Sequence, residues 1–133
     1  MAKFGKRSEE KLATIDPQIV EVLRDAIEVY DFTIVCGARS KEVQNEAFAT
    51  GASKKQWPDS KHNVELPGLY SEAVDVAPWP INWNDNLAFA RLYGIIEACA
   101  FRRGITLRWG GDWDSDGSST DQSFMDIGHF ERL

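Results

Sequence analysis

The sequence predicts a small α+β domain that takes in all of residues 1–133. Helical and strand-like segments are mixed, and the connections between them are unequal and partly irregular. The regular strand–helix–strand alternation of a doubly wound fold is missing. No internal repeat, low-complexity tract or Pro/Gly/Ser-rich linker divides the chain, and 15.0 kDa suits one domain better than two.

The elements follow from local signals. Asp16-Pro17 is a helix start, a capping residue followed by proline at the first helical position. Ile19, Val20, Leu23 and Ile27 then recur at helical spacing, giving a helix to about Tyr30. The basic stretch before it, Met1 to Arg7, reads as a solvated end. Phe32 to Cys36 is a β-rich strand stopped by Gly37, and Ser40 caps a second helix that runs to Gly51. Residues 52–70 are irregular and contain Pro58 and Pro67. Ala73 to Ala77 reads as a strand stopped by Pro78 and Pro80. A long helix is expected from about Asn84 to Arg103, with Leu87, Leu92, Ile95, Ile96 and Cys99 facing inward and Gly104 ending it. Ile105 to Trp109 is a third strand, and Gly128 to Glu131 a fourth beyond an acidic loop.

Composition excludes several classes. Hydrophobic residues at 43% and charged residues at 27% are globular proportions, which excludes a mostly disordered chain. Fifteen Lys+Arg against 21 Asp+Glu leave a net charge of −6, so nucleic-acid binding through a general basic surface is not expected. No apolar run approaches the roughly 20 residues of a membrane span. The basic start is followed by Ser8-Glu9-Glu10 and not by an apolar segment, so no secretory signal peptide is expected. Cys36 and Cys99 match no metal or redox spacing and read as buried thiols, with their pairing left open.

The chain has only two histidines, His62 and His129, and each has carboxylates at suggestive spacing. Asp75 interrupts the apolar run Ala-Val-Asp-Val-Ala. A buried carboxylate there costs several kcal/mol unless paired or metal-bound, and the alternative is that it points to solvent. Asp126 precedes His129 by three positions. Residues three apart on a strand point to opposite faces, so both reach one site only if Asp126 still lies in the loop. Two neutral imidazoles and one carboxylate suit a catalytic zinc ion, with a second carboxylate to move a proton. His62, Asp75 and His129 can supply the ligands and Asp126 the base.

In order along the chain stand Gly37-Ala38-Arg39-Ser40 with Gln44, then Ser60-Lys61-His62, then Ala73-Val74-Asp75-Val76-Ala77-Pro78. Trp109-Gly110-Gly111-Asp112-Trp113 and Asp126-Ile127-Gly128-His129-Phe130-Glu131 follow. This succession resembles the zinc D,D-carboxypeptidase/L,D-endopeptidase family of peptidoglycan peptidases. Phe4-Gly5-Lys6-Arg7-Ser8-Glu9 with Leu12-Ala13-Thr14 looks like the phage endolysins of the L-alanyl-D-glutamate endopeptidase type. The resemblance implies a mainly antiparallel sheet flanked by helices, Hedgehog/D,D-peptidase-like, as one zinc peptidase domain. It also implies zinc on His62, Asp75 and His129, Asp126 as the catalytic acidic residue, and Arg39 stabilising the oxyanion or anchoring substrate. Ser60 and Gln44 match positions near the substrate, and Glu131 can partner a ligand.

The implied function is hydrolysis of the L-Ala–D-Glu bond of the stem peptide. The agent would be a monomeric phage lysin that waits in the host cytoplasm until another protein opens the membrane. A D-alanyl-D-alanine carboxypeptidase and a non-catalytic, zinc-stabilised cell-wall binding module are the rival readings.

Two features depart from the pattern or stand outside it. His62 and Asp75 are 13 positions apart where the family has seven, which implies an insertion of about six residues within 63–70. Its length costs little loop entropy, but its place beside the ligands bears on substrate preference. Asp112, Asp114, Asp116 and Gly117 match the start of a calcium loop, Asp-x-Asp-x-Asp-Gly, while Ser123 stands where the bidentate Glu belongs. Calcium is therefore a second expected cation, against the reading of a plain acidic turn.

Overall fold

The computed structural model describes residues 2–64, 69–112 and 126–133. Among them the chain forms helices α1 (Lys6–Leu12), α2 (Pro17–Ile27), α3 (Lys41–Ala49) and α4 (Asn86–Arg102). The strands are β1 (Phe32–Cys36), β2 (Ala73–Pro78), β3 (Leu107–Gly110) and β4 (Asp126–Arg132). The strands make one sheet in the order β1-β2-β4-β3, and every pairing is antiparallel.

The caps behave as expected. Asp16 accepts a hydrogen bond from Gln18 N with Pro17 behind it, Ser40 accepts from Val43 N, and Asp85 accepts from Ala88 N. At the end of α4, Ile105 N–H donates to the Ala100 carbonyl and Gly104 N–H to the Phe101 carbonyl. This double closure places Gly104 at φ 70°, a backbone region that glycine enters without penalty.

One face of the sheet carries the core. Ile34 of β1, Val74 and Val76 of β2 and Phe130 of β4 pack with Ile19, Leu23, Leu92 and Ile96 of α2 and α4. Strand alternation turns Asp75 and His129 to the opposite face. At the sheet's centre Gly128 is required: a Cβ there would meet the Val76 carbonyl oxygen at 2.5 Å, so no larger residue lets β4 lie this close to β2.

Three expectations need correction. The first residues are not a solvated end but include α1, which has no side-chain cap at Gly5 and buries only Ser8 and Leu12. Tertiary contacts hold it. Ser8 Oγ accepts from Ile34 N and Lys11 Nζ donates to the Ile34 carbonyl, satisfying the open edge of β1. Glu9 also makes a two-armed pair with Arg24 of α2. In α4, Leu87 is 84% exposed and Phe89 takes the inward position. Two residues along a helix are about 200° apart, so Leu87 cannot share the stripe of Phe89, Leu92 and Ile96. Cys36 is only half-buried, whereas Cys99 is buried, and both are free thiols.

Leu92, 1% exposed, and Leu87 give a direct test of this helix face. Leu92→Ala is expected to lower unfolding free energy by about 2–5 kcal/mol in a denaturant titration, and Leu87→Ala to change it by under about 0.5 kcal/mol.

Candidate metal centre

The sheet register assembles most of the site. Asp75 on β2 stands directly opposite His129 on β4, and opposed residues of an antiparallel pair share a face. On the other side of β2, Cys36 stands opposite Asp75. Cys36, Asp75 and His129 therefore form one row across three strands. His62 comes from the connection before β2, pinned by backbone bonds on either side. Arg39 N–H donates to the His62 carbonyl at 2.8 Å, and Glu72 N–H donates to the Lys61 carbonyl at 3.0 Å. His62 N–H also donates to Ser60 Oγ at 3.2 Å.

The two imidazoles are oriented from their far nitrogens. His62 Nδ1–H donates to the Gly37 carbonyl at 2.7 Å, and His129 Nε2–H donates to Glu131 Oε1 at 2.9 Å. A carbonyl and a carboxylate only accept, so in the neutral imidazoles the hydrogens sit on those nitrogens and His62 Nε2 and His129 Nδ1 carry lone pairs. These lone pairs are 3.2 Å apart and lie 3.3 and 2.9 Å from Asp75 Oδ1. Donors at zinc–nitrogen distances of about 2.0–2.1 Å in a tetrahedron are separated by about 3.3 Å. Three electron-pair donors facing one another repel unless a cation or protons lie between them, so this donor set fits a divalent metal.

The electrostatics agree. Burial opposes charge on His62, but the hydrogen bonds to Asp75 and Cys36 outweigh it and raise the imidazole pKa to about 9. His129 is raised in the same way, burial being overcome by Asp75 and Glu131. Burial acts against ionisation of Asp75, yet the hydrogen bonds from His129 and His62 hold its carboxyl well below the ordinary carboxylate range. The metal-free cluster thus holds protons that an entering cation displaces. Glu131, 3% exposed, joins His129 to Arg108, whose Nη2 donates to Oε2 at 2.7 Å. Burial is again overcome, by His129 and Arg108, and its pKa falls to about 2.

Asp126 reaches this cluster by a route that spacing alone did not reveal. It is the first residue of β4 and not a loop residue. Trp109 pairs with Phe130 but Gly110 pairs with Asp126, so three residues of β4 are taken up in an irregularity between adjacent pairs. That slip brings a carboxylate oxygen of Asp126 within 4.8 Å of ligand atoms of both Asp75 and His129. Burial, and then the charge of Asp75, raise its pKa.

Arg39 is fixed by three side chains. Its Nη2 donates to Asp75 Oδ2 at 2.9 Å, Nη1 to Gln44 Oε1 at 3.2 Å and Nε to Cys36 Sγ at 3.3 Å. Gln44 is fully buried: Oε1 also accepts from Asn63 Nδ2, and Nε2 donates to Ser53 Oγ and the Lys55 carbonyl. It thus holds Arg39 and the 53–63 segment together. Asp112 is buried, with its N–H donating to the Trp109 carbonyl. Asp114, Asp116 and the 65–68 part of the expected insertion lie outside the described residues. Sequence reasoning missed Cys36 and Asn63. Cys36 carried a signal only in hindsight of register, since no spacing rule links it to His62.

Comparison with known proteins bears on the whole chain. The sequence profile of the family described as phage L-alanyl-D-glutamate peptidase matches residues 1–133. The L-alanyl-D-glutamate peptidase of Escherichia phage T5 is 38% identical over 138 residues, covering 97% of this chain and 96% of that one. The crystal structure of the Serratia marcescens L-Ala D-Glu endopeptidase ChiX superposes with a TM-score of 0.75 at 28% identity, over 99% of this chain and 91% of that chain. With its full length matched, and with both histidines and two aspartates meeting at one face of its sheet, the chain belongs to the phage L-alanyl-D-glutamate peptidase family.

Proposed function

We propose that the protein is a zinc-dependent peptidoglycan endopeptidase that cuts the L-Ala–D-Glu bond of the stem peptide as a phage lysin. The observation that carries this reading is the meeting of His62 Nε2, His129 Nδ1 and Asp75 Oδ1 beside the half-buried Asp126. The family relatives, phage and bacterial, supply the bond. No described helix is long and apolar enough to cross a membrane. As a lysin in this reading, it waits in the host cytoplasm and reaches the wall after another protein opens the membrane. It acts as a monomer in this reading, since one chain supplies every named group.

His62, Asp75 and His129 would hold the zinc ion. When bound, zinc supplies Lewis acidity that polarises the scissile carbonyl and makes water a stronger nucleophile at neutral pH. Asp126 takes the proton of the attacking water and returns it to the departing amide nitrogen. Its raised pKa suits a group that must both accept and donate. Arg39 has N–H groups left over from its three contacts and offers them to the developing oxyanion or to a substrate carboxylate. Glu131 keeps His129 in the tautomer that turns the Nδ1 lone pair toward Asp75 and His62. Ser60, which holds the His62 backbone, lies beside the substrate path, and Gln44 keeps Arg39 in place for it.

The acidic run at Asp112, Asp114 and Asp116 is proposed to bind calcium. The run matches the start of a calcium loop, Asp-x-Asp-x-Asp-Gly, and leads along the sequence toward Asp126. Lacking the bidentate Glu, affinity in the range of about 10⁻⁵–10⁻³ M is expected from calorimetry. No heat of binding at several times the weak end of that range would leave an acidic turn.

Mass spectrometry of purified peptidoglycan fragments incubated with the zinc-loaded protein tests the reaction. New N-terminal D-Glu is expected. Release of free D-Ala indicates the carboxypeptidase, and no product at any zinc level indicates a binding module. In the same assay Asp126→Ala is expected to keep its metal and lose about 10²–10⁴-fold in turnover, whereas His129→Ala is expected to lose zinc on dialysis. Wild-type activity in Asp126→Ala would move the proton-transfer role to another carboxylate.

A further inference from the structure

Cys36 enters the site through an irregularity in β1. Ile34 pairs with Val76, so a regular ladder would set Val35 opposite Asp75. The structure instead pairs Cys36 with Asp75, with one extra residue accommodated in β1. Such a bulge re-aims a side chain, and here it turns a thiol toward the face that carries Asp75 and His129. Cys36 Sγ, a ring nitrogen of His62 and a carboxylate oxygen of Asp75 all lie within 4.8 Å of one another. A thiolate, an imidazole and a carboxylate together make a donor set of mixed softness, and sulfur favours thiophilic cations over hard ones.

We propose that Cys36, His62 and Asp75 form a second cation position, overlapping the first, that takes thiophilic divalent cations such as cadmium. The proposal touches the zinc reading only in sharing His62 and Asp75, and it does not need His129. On binding, the Cys36 thiol gives its proton to solvent and the sulfur bonds the cation, so Cys–SH and Cd²⁺ become a cadmium thiolate and H⁺. Arg39 Nε, which donates to this sulfur at 3.3 Å, flanks the position. Because the two positions share two ligands, a cation at one excludes a cation at the other, and cadmium inhibits any activity that zinc supports.

The test is a cadmium titration of the metal-free protein, followed by the near-ultraviolet charge-transfer absorption of a cadmium thiolate. The band is expected at one equivalent in the wild type, in Cys99→Ser and in His129→Ala. It is expected to vanish in Cys36→Ser, with cadmium affinity lowered at least about tenfold, the loss that even an outer partner of a ligand causes. Circular dichroism establishes that Cys36→Ser is folded, and His62→Ala provides a second variant expected to weaken the band. No band in the wild type, or a band that survives in Cys36→Ser, overturns the proposal. Zinc retention separates the two readings: zinc held with no cadmium band removes Cys36 alone, and a band without zinc retention removes the trio alone.

Discussion

His62 Nε2, His129 Nδ1 and Asp75 Oδ1 converge with both imidazoles locked from behind, by the Gly37 carbonyl and by Glu131. The rest of the structure is arranged around that constraint. An uncompensated convergence of lone pairs in a buried place is unfavourable, so the protein must supply positive charge there, as protons or as a cation. Arg39 balances the outer oxygen of Asp75, and Arg108 balances Glu131. Asp75 and Glu131 thus each have an arginine on the far side.

The sheet is the device that meets the constraint. Antiparallel pairing sets Asp75 against His129, and two irregularities add what a regular ladder would leave out. One in β1 turns Cys36 inward, and one beside β4 brings Asp126 to the His129 face. The close approach of β2 and β4 at Gly128 lets these rows stack without a side chain between the backbones. The helices on the opposite face hold the sheet by apolar packing and contribute no charged group to the site.

Much of this was legible from the residues. Caps and stops placed α2, α3, α4 and β1 because Asp16-Pro17, Ser40, Gly51 and Gly104 act locally. The meeting of His62, Asp75 and His129 was legible because histidine is scarce and Asp75 is out of place in an apolar strand. The illegible parts depend on contacts distant in sequence. Helix α1 has no cap of its own and exists because Ser8 and Lys11 cover the edge of β1. Asp126 breaks the alternation rule because a register slip, invisible in a single strand, realigns it. Cys36 is half-buried rather than hidden for the same reason. Gln44 is fully enclosed and clamps Arg39, a contact that only the folded neighbourhood reveals.

The most direct measurement is anomalous X-ray scattering at the zinc absorption edge on crystals of the zinc-loaded protein. The account predicts one strong peak within bonding distance of His62 Nε2, His129 Nδ1 and a carboxylate oxygen of Asp75, with Asp126 beside it. A peak elsewhere on the chain, or zinc bound without both imidazoles, would contradict it.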